Sequence, residues 1–165
     1  MLLRILILLL LPCYILGQKY KRIHRSSVLA DTHNDIPSAT IEKKAAFDTD
    51  LKNLTHSDLN RMFKGGVDAQ MFSIFCGGEQ KEPFAFANRE MDSVYAWVNR
   101  NPKKMRLVYS PNDLKKAIKE KKLATMFGVE GGHMIENDLN KLDALYKRGM
   151  RYMTITWNNS TSWAT

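Results

Sequence analysis

Short apolar runs alternate with stretches of helical periodicity along this chain, and no other feature limits its folds as much. The runs are 27–33 (SVLADTH), 67–78 (VDAQMFSIFCGG), 123–133 (LATMFGVEGGH) and 151–159 (RYMTITWNN). Each has strand length and is rich in apolar residues. Between them, 48–66 reads as a polar loop and then a helix. Thr55 and Asp58 form a capping-box-like start, and Gly65-Gly66 the stop. Residues 83–101 place Phe84, Ala87, Met91, Val94, Tyr95 and Val98 at helical spacing and close at Asn101-Pro102. Residues 110–122 predict a helix with Ser110 as N-cap and Pro111 in its first turn. Residues 138–150 predict another, ending at Gly149. Strands alternating with amphipathic helices argue for parallel βα units, hence an α/β protein. An open doubly wound sheet and a (β/α)8 barrel both fit. The last residues, TSWAT, come just after the fourth run. The expectation is therefore the N-terminal part of something longer, with about the first half of a barrel present.

The first residues stand apart. MLLRILILLLLPCYILG (1–17) has one positive charge, an apolar run and a small residue before polar QKYKR, the layout of a secretory signal. The domain is then 18–165. The apolar run is short for a membrane span. An uncleaved anchor, or a lipid on Cys13, are the alternative routes to membrane attachment, although LLP before Cys13 matches a lipidation site poorly. A secreted, periplasmic or cell-envelope location is expected. Cys76 would be the only cysteine of the mature chain, which excludes a disulfide framework and a cysteine zinc site. The net charge of +8 comes mainly from 19–25, 101–106 and 115–122. With no nucleic-acid motif present, this reads as a solvated lysine-rich surface, and no nucleic-acid partner is expected.

The run VLADTHNDIP (28–37) ends a buried strand on a histidine and two carboxylates. Residues two apart in a strand face the same side, which groups His33 with Asp35. In parallel α/β folds the carboxyl ends of strands are where sites are built. An imidazole nitrogen beside a carboxylate oxygen suits a zinc-like ion. The same spacing recurs at His56-Ser57-Asp58, but there it opens a helix, where Asp58 complements the dipole. Glu130 closes the third apolar run ahead of Gly131-Gly132. An acid in that place is costly unless paired or metal-bound, and the glycines allow close approach of backbone. The alternative is a carboxylate that caps the following loop by accepting N–H bonds. A carboxylate can bridge two metals, and a pair about 3.5–4 Å apart activates water.

DTHNDIP, GGVDAQMFS, GVEGGH and LDALYKRGMRYMTITWNNSTSWA resemble, in that order, the membrane (renal) dipeptidase family of zinc peptidases. The resemblance runs from about Leu29 to Ala164. It implies a (β/α)8 barrel that hydrolyses dipeptides through a metal-bridged hydroxide, with two Zn2+ ions per active site in the full-length protein. His33 and Asp35 would bind one zinc. Glu130 would bridge both and act as the catalytic carboxylate. The second ion's histidines, a substrate-binding arginine and a catalytic aspartate would lie on later strands, so the chain alone should be inactive. Many members carry a substrate-contacting histidine where this chain has Trp157. An indole N–H only donates, so Trp157 either contacts substrate, walls the pocket or simply packs. His133 is expected to be structural. A dipeptide is the expected substrate and a homodimer an expected assembly. Two other functions fit the same residues: a non-catalytic binding protein on this fold, and a metal-dependent amidohydrolase for other small amides. Asn53-Leu54-Thr55 and Asn159-Ser160-Thr161 are sequons in a host that glycosylates, the second expected to stay unmodified because it lies near the site.

Overall fold

The computed structural model describes residues 19–165. The expected signal segment and Cys13 lie outside the described residues. After a helical stretch at 19–26 come β1 (Ala30–Asn34), α1 (Ile36–Glu42), α2 (Leu59–Gly65), β2 (Ala69–Ile74), α3 (Pro83–Arg100) and β3 (Met105–Leu107). Then follow α4 (Pro111–Lys119), β4 (Leu123–Val129), a 3-10 turn (Gly132–Ile135), α5 (Leu139–Lys147) and β5 (Met150–Met153).

The strands form one parallel sheet. The four strands expected from the sequence pair in chain order, as β1, β2, β4 and β5. The added strand β3 pairs with Leu123–Thr125 at the start of β4, while β5 pairs along Phe127–Val129 at its end. Three residues amid a basic stretch gave β3 no periodicity to detect. The seven-residue α1 has Pro37 in its first turn, where a missing N–H costs nothing.

Helix ends follow local chemistry. The α2 cap is Asp58, whose carboxylate accepts from Arg61 N–H, and not a Thr55–Asp58 box. Thr55 instead donates to the Ser57 carbonyl. Gly66 closes α2 at φ 75°, a left-handed conformation that glycine adopts without a Cβ clash. Ser110 caps α4 as expected, and Asp138 caps α5.

Alternation along β2 and β4 sends Phe72, Ile74, Phe127 and Val129 into one core, beneath Met91, Val94, Trp97 and Val98 of α3. Phe47, Phe72 and Trp97 pack there with ring centroids 5.3–6.0 Å apart. The opposite face offers Ala69 and Ala124 to Ala117 of α4, with Leu114 and Met126 at the margin. Small residues at these positions let the helix come close. Among the described residues, no helix is long and apolar enough to cross a membrane.

Candidate metal centre

The first strand does not reach Asp35 by regular alternation. Its pairing with β2 loses register between Asp31 and Asn34. A bulge of this kind re-aims side chains at a strand end. Here the His33 N–H turns to the Asp31 carboxylate, at 3.2 Å. The Asn34 side chain holds the next step, accepting from Ile36 N–H at 3.0 Å and donating to Ser57 and Gln70. Asp35 has left the strand (φ −82°, ψ 15°) and stands at the start of α1. The grouping of His33 with Asp35 is therefore met, but by a bulge and a helix start instead of two strand positions.

Glu130 sits one residue past β4. Its N–H still donates to Ile74 of β2, at 3.0 Å. Its carboxylate does not cap the loop: Gly131 N–H donates to Thr154 Oγ1 and Gly132 N–H to the Ile155 carbonyl. Those contacts free the side chain to meet the first strand. His33 Nε2 lies 3.1 Å from Asp35 Oδ1 and 3.6 Å from Glu130 Oε2. One donor atom from each of the three lies within 4.8 Å of the others. Glu130 is the most enclosed, its side chain 24% exposed against 46% for His33 and 54% for Asp35.

This donor set fits a divalent ion of the zinc type. Two carboxylates this close repel each other unless positive charge lies between them. Among the described residues neither has a lysine or arginine partner; both turn to His33 alone.

The other marked residues take different places. His56 shares an open cavity of about 330 Å³ with Asn34, Asp35 and Lys43 but contributes no atom to the donor group. His133 is also outside it: its Nε2 lies 3.0 Å from the Cys76 carbonyl and its ring packs on Gly131. Trp157 lies beyond β5, not on it, because the strand ends at Met153. Its ring packs on Phe75, centroids 4.8 Å apart, and its Cβ borders Gly131. Asn159 is wedged against Gly78 with a buried Oδ1.

Two residues that feel the charge of these carboxylates escape sequence reading. Glu90 is fully buried in α3 and accepts from Phe75 N–H at 2.8 Å. Burial, and then the charges of Asp35 and Glu42, push its carboxyl up to about 9, against the pull of the Phe75 hydrogen bond. An acid between Ala87 and Val94 on the apolar face of a helix was the available signal. Tyr152 on β5 is the second. Burial, then Glu130 and Asp35, raise its phenol above the ordinary range.

A parallel α/β sheet that gathers an imidazole and two carboxylates at its strand ends has the layout in which α/β barrel proteins build their sites. The chain belongs to the membrane dipeptidase family, peptidase family M19, which it matches over residues 17–165. It is 33% identical over 146 residues to human Dipeptidase 3, covering 85% of this chain and 29% of that protein. In fold it is similar to the probable dipeptidase PvdM from Pseudomonas aeruginosa, with a TM-score of 0.79 and 20% identity over 89% of this chain and 39% of that one. It is also similar to a metallopeptidase from Rhodobacter sphaeroides solved with a phosphinate mimic of the dipeptide L-Ala-D-Ala. There the TM-score is 0.70 and the identity 18%, over 81% of this chain and 46% of the other. The chain thus spans about three-tenths of the length of the human relative.

Proposed function

We propose that this chain supplies the first part of a zinc dipeptidase site, in which His33 and Asp35 hold one ion and Glu130 is shared between two. The observation that carries this reading is the convergence of three donor atoms within 4.8 Å from two separate strand ends. Family membership supports a dipeptide as substrate, as does the dipeptide mimic held by the Rhodobacter relative. When bound, the ions supply Lewis acidity that activates water and polarises the scissile carbonyl.

The chain's own residues do the rest. His33 presents a nitrogen donor, and its N–H contact to Asp31 fixes the backbone that carries it. Glu130 offers two carboxylate oxygens from a backbone pinned between Ile74 and Thr154. Such pinning limits reorganisation as charge develops. Trp157, packed at a tilt against Phe75, forms a wall beside Gly131. An indole there can donate to substrate oxygen but cannot take a proton. Export through the N-terminal segment to a secreted or envelope location belongs to the same reading, as do membrane attachment through that segment and a homodimeric assembly.

The test is metal content and dipeptide hydrolysis of the full-length protein. His33→Ala and Asp35→Asn should lower both together, whereas His56→Ala should lower neither. Equal loss from all three variants would overturn the assignment. The 165-residue chain alone should show no dipeptidase activity; hydrolysis at an ordinary enzymatic rate would refute that.

A further inference from the structure

Tyr152 makes a contact that joins both arms of the centre. It stands in register with Gly128 on β4. A methyl group at Gly128 would lie 2.1 Å from the Tyr152 Cζ, so the missing side chain is the room the phenol occupies. Across β4, Gly128 is in register with Ser73 of β2, another small residue. Beyond those two strands, the Tyr152 hydroxyl donates to the Thr32 carbonyl of β1 at 3.3 Å. Thr32 lies in the stretch where β1 loses register, immediately before His33. Gly128 lies two residues before Glu130. One side chain therefore touches the strand behind each donor, on strands that do not pair with one another.

We propose that Tyr152 is a positioning residue, a strut seated on Gly128 that sets the spacing between the His33 and Glu130 ends of the metal centre. The proposal rests on the metal-centre reading. Packing alone would be served equally by phenylalanine, whereas the hydroxyl of this half-buried tyrosine adds a donor that reaches the first strand. Here the partner is a carbonyl in the bulge, where the ladder is broken.

The test uses the full-length protein and measures zinc affinity by chelator competition, the visible spectrum of the cobalt-substituted form, and the unfolding midpoint. Tyr152→Phe should weaken zinc binding about tenfold, the range typical of groups that orient metal ligands. It should also shift the cobalt spectrum and leave the midpoint close to wild type. Gly128→Ala should displace the ring and cause a similar loss. Adding Tyr152→Phe to Gly128→Ala should then cost little more, since both remove one contact. Wild-type zinc affinity and an unchanged cobalt spectrum in Tyr152→Phe would overturn the strut while leaving the metal reading intact. A lowered midpoint with an unchanged spectrum would likewise overturn it, by showing a purely structural tyrosine. A wild-type protein that binds no zinc would overturn both.

Discussion

His33 is aimed by neighbours that lie outside the cluster it forms with Asp35 and Glu130. Asp31 takes its N–H, and Asn34 takes the amide of Ile36, so the backbone is held on both sides. Asp31→Ala removes the first of these holds and leaves all three donors in place. It should weaken zinc binding of the full-length protein several-fold, as loss of orienting contacts does, read by chelator competition. Glu90 carries a second residue-scale expectation. Folded, it keeps its proton to about pH 9; unfolded, it loses it near 4.5. Between those values unfolding releases a proton, so this group makes the fold less stable as pH rises. Glu90→Gln retains an acceptor for Phe75 N–H without the charge. Its stability advantage over wild type should grow from about pH 5 to about pH 9 in denaturant titrations. A difference independent of pH would refute this.

At the scale of elements, the helix starts govern how the loops enter the sheet. Asp58 is buried and accepts from Arg61 N–H and Leu51 N–H while pairing with the Arg61 guanidinium at 2.6 Å. Despite the cost of burial, those contacts hold its carboxyl below the usual range. Its stabilisation is present above the ordinary aspartate range and is lost as pH falls through the lowered value. Asp58→Ala should cost about 1–2 kcal/mol through the cap alone, measured by thermal or chemical unfolding. A cost near zero at neutral pH would show that Arg61 and Leu51 find other partners. The four main strands were legible because each is an apolar run bounded by polar or glycine residues. The short strand β3 and helix α1 were not, since three and seven residues carry too little pattern for periodicity to register.

For the whole molecule, the sheet has open flanks among the described residues. β1 pairs on one side only, through β2, and β5 pairs only with β4. Unpaired strand edges invite association. The 165-residue chain prepared alone should self-associate at micromolar concentration, seen as concentration-dependent mass by light scattering. A strictly monomeric chain at that concentration would refute this.

Residue types and local order pointed to the class of fold, the helix stops at Gly66 and Gly149, and the three side chains that cluster at the strand ends, because these depend on periodicity, backbone freedom and chemical type. How the donors meet was decided only in three dimensions. The bulge at 31–34, the placement of Trp157 past its strand, the burial of Glu90 and the reach of Tyr152 to Thr32 each join residues distant along the chain. Such contacts arise from packing one strand and helix against another, and no window of sequence contains both partners.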